Sequence, residues 1–203
     1  MKVKIGPYIN YFGVFQLTDL FLKLFIKDED KLFEIGKTID EKFPFINNFC
    51  QWIYDKRKRT VKVKIDNYDV WNMDHTLSLI ILPMLKKLKD QKHGAPFVNL
   101  EDVPEHLRPT EAEQAHMGET GETDDKFQAR WDYILDEMIW TFTQLTTDNH
   151  DAQFYDMSEW DDSNDMSDNF SKIKVDEAGR DAHNKRIANG TRLFGVYYRG
   201  LWD

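Results

Sequence analysis

Two short stretches alternate strictly between charged and aliphatic residues: "KVKI" at 2–5 and "TVKVKI" at 60–65. A period of two places Val3 and Ile5, and likewise Val61, Val63 and Ile65, on one face of an extended strand, with the lysines on the other. The match in pattern predicts that the two strands pair, lysines towards water. The spacing from Ile5 to Tyr8 returns from Ile65 to Tyr68. A worn duplication of a strand–helix unit and coincidence in a short pattern both account for that echo.

Elsewhere the period is helical. Phe15, Leu17, Leu20, Phe21, Leu24 and Phe25 predict a helix over 14–26. "PFINNFCQWIYDKRKR" predicts a helix that opens at Pro44, where a missing N–H costs nothing, and closes on the basic run 56–59, which complements its carbonyl end. A longer helix is expected from Asp66 to Lys89, with Asp66, Asp69 and Asp74 towards its start and Lys86, Lys87 and Lys89 near its end. Pro83 inside it predicts a kink between Leu79 and Pro83. Its middle, "LSLIILPML", is apolar on nearly every side, the mark of a helix enclosed by neighbours. Gly94 and Pro96 end it.

Phe127, Trp131, Ile134, Met138, Phe142 and Leu145 recur at helical spacing and predict an amphipathic helix over 126–145. A last helix, about 176–200, puts Ile187, Gly190, Phe194, Tyr197 and Leu201 on one stripe. Gly190 there either admits a close neighbour or simply weakens the helix. Residues 97–125 and 151–172 are expected to be loops, with mobile acidic stretches near 108–125 and 156–172 and Trp160 or Phe170 as anchors in the second. The expected fold is mainly α (α+β): a bundle of four to five helices around the buried, kinked helix, with a small two-stranded sheet, in one domain over 1–203.

Composition narrows the function classes. Of 203 residues, 41% are hydrophobic and 14% aromatic. Each aromatic side chain can bury roughly 150–250 Å², so a sizeable core is expected. The net charge of -9 argues against a general nucleic-acid binder, which needs a basic face. The run 56–64 is the one basic cluster that offers contact to nucleic acid or an acidic partner, and a solvated helix end running into a lysine-guarded edge strand is the plainer account of it. The sole cysteine, Cys50, rules out an intrachain disulfide and a four-cysteine zinc site. No apolar run approaches a membrane span and the first residues do not form a secretory signal, so a soluble intracellular chain is expected.

The densest candidate chemistry surrounds the longer helix. Asp74 and His75 precede its apolar middle. Asp132, Asp136 and Glu137 lie on the amphipathic helix, and antiparallel packing of the two would let Asp74, His75, Asp136 and Glu137 converge. Histidine with carboxylates suits a divalent metal ion, with His75 and Asp136 as ligands, and metal-bound water attacks phosphoesters. The spacing matches no established motif: it is not HExxH, and Asp74–His75 reverses the His–Asp order of the HD phosphohydrolases. The plainer alternative makes His75 a satisfied core residue and pairs Asp136 and Glu137 with cations of a neighbouring helix. A second candidate is an anion pocket, nucleotide-like in the ligand it would take, formed by Lys92, His93 and Arg130 with Trp71 as an aromatic wall. Capping of the helix by Lys92, His93 and Gly94 explains part of that set equally well. The aromatic C-terminus, "NGTRLFGVYYRGLWD", docks either into the body of the protein or onto a second copy.

"VKIDNYDVWNMDHTLSLIILPMLKKLKDQKHGAPFV", "DDKFQARWDYILDEMIWTF" and "RIANGTRLFGVYYRGLWD" occur in this order and together resemble an uncharacterised protein family of tailed bacteriophages, T4-like and marine phages among them. The resemblance spans about residues 56 to 203. It implies a phage product at work in the host cytoplasm or the virion, and supplies no activity, cofactor or catalytic residue. The expectation is a phage accessory protein that binds a host or phage protein or a small anionic ligand. A metal-dependent phosphohydrolase and a virion or assembly component are the alternatives.

Overall fold

A computed structural model describes residues 1–163 and 165–202. The fold is mainly α with a small antiparallel sheet, as the patterning predicts. The chain divides into two compact units, Met1–Asp69 and the residues from Val70 onward.

In the first unit, β1 (Lys2–Ile5) and β2 (Val61–Lys64) pair antiparallel, with Lys2 opposite Lys64, Val3 opposite Val63, Lys4 opposite Lys62 and Ile5 opposite Val61. Between them run α1 (Val14–Leu22), α2 (Glu29–Lys42) and α3 (Pro44–Lys56). Pro44 sits in the first turn of α3, where its lack of an N–H is harmless. The N-cap of α2 is Asp28, whose carboxylate accepts from the Lys31 amide, and α2 is a helix that the apolar pattern did not single out. Phe15 stacks on Phe33 and lies over Gly36, where a Cβ would meet its ring at 2.8 Å. The core of this unit is thin. Val14, Leu32 and Cys50 are its buried apolar side chains among the described residues, whereas Leu24 and Phe25 are more than four-fifths exposed.

The second unit is a helical stack. Its elements are α4 (Met73–Gln91), α5 (Glu111–Thr120), α6 (Phe127–Leu145), β3 (Tyr155–Asp156), α7 (Met166–Lys172), β4 (Lys174–Val175) and α8 (Glu177–Val196). β3 and β4 form a second, two-residue ribbon. The predicted stripe of α6 carries the core: Trp131, Ile134 and Met138 are fully buried and Phe142 nearly so. α4 packs against α6, and so does α8. Gly190 of α8 meets Thr141 of α6 so closely that a Cβ would lie 2.7 Å from the Thr141 Cβ and 3.0 Å from the Glu137 carbonyl oxygen. The glycine therefore admits a close neighbour, the first of its two readings.

Several expectations are corrected. α4 begins at Met73, because Asn67–Val70 forms a single 3-10 turn. Asp69, expected to favour a helix start, instead binds the N-terminal ammonium at 2.8 Å. α6, not α4, is the enclosed helix: on α4 only Ser78 and Leu85 are buried, while Leu77, Leu79 and Met84 face outward. Both acidic loops contain helix. In α5, Thr110 and Glu113 close a capping box and Gly121, at φ 74°, ends the helix. In α7, the buried Asn169 side chain donates to the Asp161 carbonyl at 2.7 Å and accepts from the Asp161 amide at 3.1 Å, which ties the preceding loop down. Among the described residues no helix is long and apolar enough to cross a membrane.

Candidate functional site

The register of α4 on α6 decides the fate of the candidate metal site. The Nδ1–H of His75, in the first turn of α4, donates to the carbonyl of Leu145 at 3.0 Å, at the far end of α6. Lys89, near the end of α4, pairs with Asp136, and Lys92, just past it, pairs with Asp132 at 3.0 Å. The helices are antiparallel as anticipated, but His75 and Lys89 are separated along α4 by about 21 Å of helical rise. Along α6, Asp136 lies nine residues, about 13.5 Å of rise, from Leu145, so His75 and Asp136 are well separated along the helix pair. Glu137 turns to α8, where Arg186 grips it at 3.0 and 2.7 Å while lying 3.9 Å over the Trp140 ring. Asp74 is exposed. Asp74, His75, Asp136 and Glu137 do not converge, and among the described residues no cluster of three or more His, Cys, Asp or Glu side chains could hold a metal ion.

The candidate anion pocket is likewise dispersed. Arg130 is buried, and its guanidinium donates twice to Asp124, at 2.8 and 2.6 Å, and to the Leu107 carbonyl at 3.0 Å. These bonds hold the Asp124 carboxyl below the usual range. Lys92 already faces Asp132. His93 is exposed beyond the end of α4, and Trp71 is exposed ahead of its start. A depression of about 200 Å³ beside Arg130 is lined largely by apolar side chains, among them Phe97, Pro109, Met117 and Phe127.

What the structure does assemble is an apolar groove of about 570 Å³ between α4 and the C-terminal end of α8. Leu85 forms its floor. Ile81 and Leu88 of α4 face Phe194 and Leu201, and the exposed Met84, Tyr198 and Trp202 form its rim. It exists because α4 carries more apolar positions than α6 covers, and because the aromatic stripe of α8 runs on past the helix.

Tyr197 fixes that wall. Its hydroxyl donates to Asp102 at 2.6 Å and accepts from the Asn99 amide at 2.9 Å, and Arg192 binds the other Asp102 oxygen. Burial and the bond to Asp102 push the Tyr197 hydroxyl up to about 12. Burial would raise the Asp102 carboxyl, but the bonds from Tyr197 and Arg192 outweigh it and hold it below its ordinary value. The aromatic C-terminus thus docks partly into the body through Tyr197, while Tyr198 and Trp202 stay exposed.

One further pair had no signal in the sequence. His183 of α8 is buried between Trp140 and Phe154, and its Nε2 lies 3.1 Å from His150 Nδ1. One ring donates and the other accepts. Burial lowers the His183 pKa, and the neighbouring His150 lowers it further.

Compared with known proteins, the chain matches no family model, no curated sequence and no solved structure.

Proposed function

We propose that this chain is a phage accessory protein that works by binding another protein, and that the groove between α4 and α8 receives an apolar segment of that partner. The phage setting rests on the sequence resemblance. The binding role rests on one observation: a concave apolar surface whose rim residues Met84, Tyr198 and Trp202 stay largely exposed while its floor, Leu85, is 3% exposed. Aromatic and methionine side chains around a preformed apolar floor supply most of the energy at protein interfaces. Tyr197, held by Asp102 and the Asn99 amide, anchors the α8 wall beside the groove, which lowers the ordering cost of binding.

A photo-crosslinking residue at Met84 is expected to capture a defined protein from infected cells, and Trp202→Asp should abolish that capture without altering the melting temperature. Capture that persists in the Trp202→Asp protein would remove the groove from the reading. A second copy of the chain is the alternative occupant. In that case the mass from light scattering would be that of a dimer and would fall to that of a monomer in Met84→Asp. The small-ligand and phosphohydrolase readings draw no comparable support, since the cations Lys92 and Arg130 already face carboxylates and the candidate metal ligands lie apart.

A further inference from the structure

Directly opposite residues of an antiparallel pair share a face. The register of β1 on β2 therefore gathers Lys2, Lys4, Lys62 and Lys64 on one side of the ribbon and Val3, Ile5, Val61 and Val63 on the other. Lys2 faces Lys64 and Lys4 faces Lys62, two like-charge pairs that cost stability. Among the described residues no carboxylate lies within ion-pair distance of any of these four ammonium groups or of the neighbouring Arg57 and Lys58. Asp69 is taken up by the N-terminal ammonium, and Asp66, which lines a shallow depression with Lys2 and Lys64, forms no ion pair with either.

The overall negative charge does not extend to this unit. Residues 1–69 carry 13 Lys and Arg against 10 Asp and Glu, whereas residues 70–203 carry 14 against 26. Lysines that merely guard open strand edges need not be stacked in unrelieved pairs. The arrangement becomes favourable once a polyanion lies along it.

Exposed aromatic rings mark both ends of the strip. Tyr8 follows the Ile5 end of β1 and Tyr68 follows the Lys64 end of β2, and because the strands are antiparallel these ends are opposite. Both rings are close to four-fifths exposed. Tyr8 is held in place: the Arg59 guanidinium lies 3.9 Å over its ring and donates from Nε to the Gly6 carbonyl at 2.8 Å. Thus the echo of Ile5–Tyr8 in Ile65–Tyr68 places one aromatic at each end of a basic track. A positive track with stackable rings is the recognition pattern of unpaired bases on a charged backbone. An acidic peptide would use the lysines and gain little from the rings. A duplex hides its base faces.

We infer that the lysine face of the β1–β2 ribbon, bounded by Tyr8 and Tyr68, binds single-stranded nucleic acid. The strip is about 14 Å long at the rise of a strand, room for a few nucleotides. Cross-strand lysines about 5 Å apart contact the backbone while the tyrosines accept bases.

The test uses the full chain and fluorescein-labelled oligothymidylate and oligouridylate of about 15 nucleotides, a length within the site sizes of single-strand binders. Anisotropy is measured across a salt series. Wild type should bind at low salt. Replacing Lys2, Lys4, Lys62 and Lys64 with Gln should weaken binding at least tenfold and flatten the log–log salt slope by about 3, near 0.7 for each lost phosphate contact. That variant removes the like-charge pairs, so it should melt no lower than wild type. Tyr68→Ala, which leaves the ribbon intact, should cost roughly 5- to 100-fold, and Lys87→Gln, an exposed lysine of α4 outside the ribbon, should change nothing. Failure of wild type to bind either oligomer, or an unchanged salt slope in the lysine variant, overturns the assignment. So does duplex DNA binding as tightly as the single strand. Displacement by polyglutamate as effective as by unlabelled oligomer, with Tyr68→Ala silent, would make the ligand an acidic protein and overturn it equally.

Discussion

Gly190 has no room for a methyl group, because Thr141 and the Glu137 carbonyl already stand where its Cβ would go. Gly190→Ala must therefore push α8 away from α6, and overpacking of this kind costs about 1–3 kcal/mol, to be read as a lower urea midpoint. His183 gives the residue-scale pH dependence. Burial and His150 lower its pKa, Asp151 opposes that shift, and Arg186 adds to it. The unfolded chain takes up the proton more readily than the folded one, so the contribution of His183 is complete above about pH 6.5 and is lost as the pH falls through the lowered value. Wild type is expected to lose more melting temperature between neutral pH and pH 5 than His183→Phe does. Few of these residues could be found in the sequence. Glu137 finds Arg186 and Tyr197 finds Asp102 across separations of 49 and 95 positions, and no local pattern encodes which cation meets which carboxylate. His75 shows the limit well: its place at the start of an apolar helix was legible, but its partner, the Leu145 carbonyl, depends on the register between helices.

At the scale of elements, legibility follows the strength of the periodic signal. β1, β2 and α6 alternate or repeat without interruption and lie where the pattern puts them. α4 starts later than its acidic pattern suggests because Asp66 and Asp69 look like first-turn acids but serve local turns and the N-terminal amine. α5 buries none of its residues, so hydrophobic periodicity could not reveal it; the signal was the capping box of Thr110 and Glu113. A helix held by its ends should be sensitive there and nowhere else. Thr110→Ala is expected to cost α5 about 1 kcal/mol, seen as faster amide exchange over 111–120 with no change in exchange over 131–142.

For the whole molecule, the contrast between the two units has energetic weight. The second rests on a core of large, fully buried side chains, while the first encloses a few residues and leaves Leu24, Phe25 and Phe45 largely in solvent. Local stability tracks buried apolar contact, so amides of α1, α2 and α3 are expected to exchange well before those of α6 in native-state hydrogen exchange. Equal protection in both would contradict that ranking. The segregation of charge has a consequence at the bench. A pI near 5.2 assigns the protein to anion-exchange resin at neutral pH, yet its amino-terminal third has an excess of cations and an unshielded lysine strip. In dilute buffer the one polypeptide should adhere to sulfonate beads as well as to quaternary-amine beads, and lose its grip on the former when the four ribbon lysines become glutamines.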